Sequence, residues 1–393
     1  MLDYMNLSLA QQEELLRIRR HLHRHPELSF QEFETAAFIK DWLDNAGIPY
    51  RTVGGTGVVA EITGEKAGVA APKTVVLRAD IDALPITENT GLPFSSEKEG
   101  VMHACGHDMH AAMLLVTGGI LNSLRAEFAG TVKLVFQPAE EFVMGAAKMI
   151  NEDPFMDGVD YVLGTHVMCH MPCGTLGVRS AGLFFGGERF QIHIEGKEGH
   201  GAQPHTAIDA LLAGSAIVSN TQLTLARETN VLDPAVATIC MFHAGNAPNV
   251  IAGEADLSGT IRFFSEKRRA ALKGSMDRSV EQIAGSFDCK GSVIWDRYVP
   301  AVENDPWLDA FVRKAATELL GADAVREAAQ LTSSDDFSWY TQNTKGYYMI
   351  LGSGTGDPER STPHTPMFTP DENCMPLGVA TFVKLAVELL QGE

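Results

Sequence analysis

The chain has 393 residues, 45% hydrophobic and 21% charged, a globular balance too long for one ordinary core, so two domains are expected. Its 50 acidic and 31 basic side chains leave a formal charge of −19, which repels phosphate backbones and anionic lipid and argues against nucleic acid or a membrane as partner. No apolar run reaches about 18 residues, no signal-like apolar segment opens the chain, and six cysteines lie without framework spacing, so a reducing compartment, the cytoplasm, is expected.

In chain order, a helix is predicted over 9–25 and another across FQEFETAAFIKDWLDNAG. The apolar strand in TVVLRADIDALP ends in charge, a helix runs from His107 to about Glu127, and TVKLVFQPAEE is again a strand that ends in acids. YVLGTHV follows the same plan and is expected to end at His166. Apolar runs alternating with helices suggest a buried, mostly parallel sheet covered on both faces. Near residue 187 the period becomes two, in FQIHIEG, and the order to 297 reads β-α-β-β-α-β, a ferredoxin-like split unit. A helix at 306–320, the strand GYYMILGSG, the loop TPHTPMFTPDE and a helix from Pro376 restore the α/β pattern. The expected organisation is a discontinuous catalytic domain, 1–186 and 298–393, with an inserted domain over 187–297.

In open α/β sheets, ligands bind beyond the carboxyl ends of the strands. Separate loops there carry Asp80 and Asp82; His103, Cys105, His107, Asp108 and His110; Glu140 and Glu141; His166; and His364. Imidazole, carboxylate and thiolate together suit Zn²⁺, Mn²⁺, Co²⁺ or Ni²⁺ and not Mg²⁺ or Ca²⁺. So large a donor set exceeds a closed structural zinc site and fits two ions, which would lower the pKa of a bound water from about 15.7 to roughly 7. The start of the helix at His107 would help to keep such ligands anionic. Of the neighbours Glu140 and Glu141, one can ligate while the other serves as general base, and Asp82 and Asp108 are candidates to orient ligand imidazoles.

HRHPELSFQEFETAAFI, RADIDALP, MHACGHDMH, FQPAEE, GHGAQPH, PNVIAGEADLSGTIR and SSDDFSWY followed by HTP occur in that order over nearly the whole chain. As a set they resemble the N-acyl-amino-acid amidohydrolases, which include hippurate hydrolases, auxin-conjugate hydrolases and N-acetyldiaminopimelate deacetylases and are related to aminoacylase and carboxypeptidase G. The resemblance implies a zinc-peptidase-like catalytic domain with a lid and dimerisation insert, and metal ligands Cys105, His107, Glu141, His166 and His364. It implies Glu140 as general base, His200 as a group reaching a partner subunit's site to steady the oxyanion, and Asn249 and Arg262 as substrate contacts. Arg262 suits a bidentate clamp on an α-carboxylate. The implied cofactor is two divalent ions per subunit, Mn²⁺ or Zn²⁺ with Co²⁺ or Ni²⁺ as alternatives. The implied assembly is a homodimer or homotetramer, and the implied substrate a small N-acyl amino acid. Departures from the family pattern are Asp335 where glutamate is common, THVMCHMPCGTLG after His166, and HTAIDALLAG without its usual Asp-Pro.

Plainer roles compete at each position: a turn histidine at 200, a surface ion pair at Arg262, a cap at Asp82. His21, His23 and His25, two residues apart, point to different sides of a helix and are read as structural. Three other functions use the same residues. A dipeptidase or carboxypeptidase acting on aryl-glutamate conjugates or dipeptides shares the site chemistry. A thiol hydrolase built on Cys105 and His107 would have only one glycine between nucleophile and base. A binding protein that kept the fold would have no use for Glu140.

Overall fold

A computed structural model describes residues 2–69 and 71–391; the outermost positions of the expected domains, 1, 392 and 393, lie outside them. The chain divides into two units. One comprises Met1–Leu183, Glu303–Gln330 and Asp335–Glu393, the other Phe184–Val302 and Leu331–Ser334. The insert therefore begins three residues before the expected 187 and ends five after 297, and it recruits a short return segment that no pattern announced.

The first unit is organised by an eight-stranded sheet with the order Tyr50–Val53, Gly57–Thr63, Thr131–Gln137, Thr74–Asp80, Tyr161–Pro172, Lys345–Gly354, Leu176–Val178, Val325–Glu327. Its four central strands are mutually parallel, and antiparallel pairs join Gly57–Thr63 to one side and Leu176–Val178 to the other. The sheet is thus mixed, with its parallel part in the middle. There, Val75, Val76, Leu77, Val162, Leu163, Tyr347, Tyr348 and Met349 are almost fully buried, the signature of strands covered on both faces.

The helix His107–Ser123 is buried on nearly all sides, which explains an apolar composition without a polar face. It touches the Met375–Gln391 helix, the Gln12–Arg24 helix and the Thr74–Asp80 strand. The predicted helix over 9–25 is two helices, Tyr4–Leu9 and Gln12–Arg24, and the one expected to reach Glu127 stops at Ser123 before a 3₁₀ turn. One segment, Glu372–Gln391, is long and apolar enough to cross a membrane, which the apolar-run count overlooked. Its apolar stretch is 89% buried inside the protein, the property of a core helix.

Phe190, Ile192 and Ile194 line the core of the second unit, while Gln191 between them and Glu195 after them face out. Its sheet is wholly antiparallel, in the order Ala235–Ala244, Glu254–Phe263, Gly186–Glu195, Lys290–Val299. The helices Ala210–Glu228 and Glu266–Ser286 complete a β-α-β-β-α-β chain order. Asp209 and Ser265 cap them by accepting the backbone N–H of Leu212 and Arg268.

Candidate active site

Parallel pairing brings Asp80 opposite Gln137, so the segments that follow both strands leave the sheet side by side. The segment after Gln137 is tightly wound. Ala139 and Val143 both hold positive φ, +51° and +55°, a left-handed conformation that costs a residue with a Cβ about 1–2 kcal/mol. Buried carboxylates bind its backbone N–H groups. Glu32 Oε1 accepts from Ala139 at 2.9 Å, Asp82 accepts from Glu140 through Oδ1 and from Glu141 through Oδ2, both at 3.1 Å, and Asp336 Oδ2 accepts from Ala146 at 2.9 Å.

Asp82 also takes the Ser29 hydroxyl at 2.7 Å and faces Nδ1 of His107 at 3.2 Å. Burial alone would raise its pKa, but the His107 imidazole and the Ser29 hydroxyl hold it below the usual carboxylate range. Because His107 Nδ1 lies 2.9 Å from the Asp82 carbonyl, which only accepts, Nδ1 carries the proton and Nε2 is left free. Among the described residues that Nε2, which is buried, has no hydrogen-bond partner. His166 repeats the arrangement: Nδ1 donates to the Val167 carbonyl at 2.8 Å, and Nε2 lies 3.4 Å from Cys105 Sγ.

His166 does not end its strand. Tyr161–Pro172 continues for six residues beyond it, paired through to Gly354, because the neighbouring strand Lys345–Gly354 supplies a ladder that the sequence pattern does not reveal. Gly106 caps the helix at φ +92°, and a Cβ there would stand 2.4 Å from Val167 Cγ2. Glycine alone lets Cys105 and His107 approach the His166 strand. Gly106→Ala is expected to destabilise the protein by about 2–4 kcal/mol, combining left-handed strain with overpacking; a denaturant midpoint equal to wild type would contradict this.

Ligand atoms of Cys105, His107 and His166 lie within 4.8 Å of one another, as do those of Cys105, Glu141 and His364, and those of His107, Glu140 and Glu141. His364, half exposed and at φ +61°, is held by its own N–H donating to the Ala104 carbonyl at 2.8 Å, and its Nε2 is 3.4 Å from Glu141 Oε1. Glu141 Oε1 is otherwise buried without a hydrogen bond.

Burial pushes the Cys105 thiol up to about 12 and His166 down to about 3. With burial raising the Cys105 thiol this far, the helix start at His107 can only assist, and a thiolate there calls for a nearby cation. Burial also lifts Glu140 well above the usual carboxylate range, and the facing Asp335 and Asp336 add to the shift. Arg78, fully buried, is the permanent cation opposite them, 2.6 Å from Asp80 and 3.0 Å from Asp336.

Asp108, expected to orient a ligand imidazole, does not. It meets Arg19 Nε at 2.9 Å and His23 Nδ1 at 2.8 Å, because one step along the helix turns its side chain away from that of His107. His110 is fully engaged, with Nδ1 donating to Asp80 at 2.5 Å and Nε2 accepting from the Val167 N–H at 3.0 Å. His200, Asn249 and Arg262 belong to the second unit. There His200 pairs with Val250, the adjoining Gly201 N–H donates to the Asn249 carbonyl at 2.9 Å, and Arg262 Nη1 donates to the Ile261 carbonyl at 2.9 Å. Glu32, Arg78 and Asp336 are residues of this site that sequence reasoning missed.

A mixed α/β fold whose strand ends gather imidazole, thiol and carboxylate donors beside a further free carboxylate defines a metal-dependent hydrolase. Residues 76–388 match the peptidase family M20/M25/M40, and the chain belongs to that family. It is 40% identical over 380 residues to N-acetylcysteine deacetylase of Bacillus subtilis (strain 168), covering 96% of this chain and 97% of the relative. It is 36% identical over 383 residues to the IAA-amino acid hydrolase ILR1-like 2 of Arabidopsis thaliana, covering 96% and 85%. The crystal structure of the Bacillus subtilis YXEP protein, described as a dinuclear metal binding peptidase from the M20 family, superposes with a TM-score of 0.83 at 36% identity, over 98% of this chain and 99% of that one. The protein is a hydrolase of this metallopeptidase family, with deacetylases and amidohydrolases among its relatives.

Proposed function

We propose that the protein hydrolyses the amide bond of N-acetyl or N-aroyl amino acids, releasing a free amino acid and a carboxylic acid. The observation that carries this reading is the pair Glu140 and Glu141 on one carboxylate-bound loop. Glu141 shares ligand-distance groups with Cys105 and His364 and with His107, whereas Glu140, its Oε2 3.8 Å from His107 Nε2, also faces the carboxylates of Asp335 and Asp336.

The donor set fits two divalent cations. Among the described residues His107 Nε2 and Glu141 Oε1 are buried without a hydrogen bond, and buried carboxylate exceeds Arg78, which marks places where positive charge is wanted. Cys105, His107 and His166 would hold one ion and Cys105, Glu141 and His364 the other, with the sulfur common to both. Soft and borderline donors favour Mn²⁺ or Zn²⁺, with Co²⁺ or Ni²⁺ as substitutes. When bound, such ions supply Lewis acidity toward the amide carbonyl and acidify water.

Glu140 takes the proton of the attacking water and returns it to the departing nitrogen, a task suited to a carboxylate whose burial and like-charged neighbours raise its basicity. Its backbone N–H, donating to Asp82 Oδ1 at 3.1 Å, keeps it over the site. In this reading the second unit is a ferredoxin-like lid whose His200 reaches a partner subunit's site to steady the oxyanion, with Arg262 clamping the α-carboxylate and Asn249 contacting the substrate. That unit also joins copies into a dimer or tetramer, and the enzyme works in the cytoplasm.

A dipeptidase or carboxypeptidase reading draws on the 36% identity, over 380 residues, to thermostable carboxypeptidase 1 of Saccharolobus solfataricus. A panel of N-acetyl amino acids, benzoyl amino acids and dipeptides, scored by free amino acid released from metal-reconstituted protein, separates the two. Turnover of N-acyl amino acids, abolished by chelation and restored by added metal, is expected. Preference for dipeptides, or full activity after stripping, would overturn it.

A further inference from the structure

We infer that Glu32 is a positioning residue for hydrolysis: its buried carboxylate holds the loop that carries Glu140 and Glu141 in a backbone conformation the loop does not adopt unaided. The inference rests on the role proposed for Glu140.

Glu32 is fully buried and far from Glu140 in sequence. Its Oε1 accepts two backbone N–H groups, from Phe30 and from Ala139, each at 2.9 Å. Phe30 has φ +63° and Ala139 φ +51°, so both partners are non-glycine residues in the left-handed region. Such strain persists only where the surroundings over-determine it, and here one oxygen restrains both sites. The other oxygen, Oε2, accepts the Thr56 hydroxyl at 2.6 Å. Ala139 directly precedes Glu140, so its φ sets the direction in which the chain enters the base and its neighbouring ligand. Asp82 accepts the next two N–H groups, those of Glu140 and Glu141, and not those of Phe30 or Ala139, whose N–H groups go to Glu32. Glu32 thus governs the entry to the loop and Asp82 its continuation. Burial raises the Glu32 carboxyl above its ordinary range, and the contacts it makes are all ones a neutral acceptor of the same length can make.

Reach and charge can be separated. Glu32→Asp keeps the charge and shortens the side chain by one methylene; Glu32→Gln keeps the reach, with its amide oxygen still able to accept both N–H groups and its amide nitrogen donating to Thr56. Thr56→Val removes only the hydroxyl contact. On the best substrate of the panel above, Glu32→Asp is expected to lower kcat about 10–100-fold with KM within about threefold of wild type, since a displacement of about 1 Å in a reacting group has that consequence. Glu32→Gln and Thr56→Val are expected to stay within about threefold of wild type in both constants. Hydrogen–deuterium exchange of peptides spanning 138–144, which needs no turnover, should quicken in Glu32→Asp and not in Glu32→Gln.

Equal losses in Glu32→Asp and Glu32→Gln, or unchanged exchange over 138–144 in a Glu32→Asp variant of lowered global stability, would overturn the inference. Wild-type protein inert toward every amide would instead sink the proposed function, and the exchange comparison would still decide whether Glu32 holds the loop.

Discussion

Glutamine at position 140 is expected to lower kcat on an N-acyl amino acid by about 10²–10⁴-fold while metal content stays at the wild-type level. Glutamine matches glutamate in shape, so the backbone bond from residue 140 to Asp82 and the left-handed turn before it persist. What disappears is the ability to accept and return a proton. The substitution also removes a carboxylate that burial and the facing Asp335 and Asp336 drive toward its neutral form. Stability should therefore hold or rise slightly, and a fall in activity cannot be blamed on unfolding. The check is steady-state kinetics alongside metal analysis and thermal unfolding of the same preparation. Retention of a tenth of wild-type kcat would remove Glu140 from the chemistry. Loss of metal with the activity would make it a ligand instead.

The parts legible in the sequence are those where local pattern and tertiary role coincide. The Thr74–Asp80 and Thr131–Gln137 strands show themselves because an apolar run buried on both faces stops where charged residues begin. The insert shows itself because Phe190, Ile192 and Ile194 alternate with polar positions on a half-exposed sheet. His166 was set at a strand end because a charged or imidazole residue ordinarily marks one; the strand continues since its neighbour pairs beyond it, which is long-range information. The edge strand Tyr50–Val53 is too short to show a period, and Leu176–Val178 shorter still. Asp108 misled because adjacency in sequence is not adjacency in space on a helix: His107 turns to Asp82 and Asp108 to Arg19 and His23. Glu32 could not have been found from composition or spacing, since it acts through backbone N–H groups, which every residue but proline possesses.

Removal of the Cys105 side chain should strip more metal than loss of any single imidazole. His166 belongs to one of the two ligand groups that share this sulfur and His364 to the other; Cys105 belongs to both. Its thiol is held protonated by burial up to about 12 when no cation is near, so a metal ion is what keeps sulfur anionic there. Cys105→Ala leaves His166 Nε2 without the sulfur it faces at 3.4 Å and opens a space that neither remaining group can close. Loss of a residue that merely orients a ligand weakens metal affinity about 10–100-fold; loss of a donor common to two ions is expected to exceed that at both. After dialysis against dilute Mn²⁺ or Zn²⁺, Cys105→Ala should carry well below one ion per chain and retain under about 1% of wild-type activity. His364→Ala, with the Cys105, His107 and His166 group intact, should keep close to one. Metal analysis and titration calorimetry on the two variants decide the matter. A Cys105→Ala protein holding as much metal as His364→Ala would show that the sulfur serves one ion only, and one holding the full wild-type amount would remove it from the ligand set.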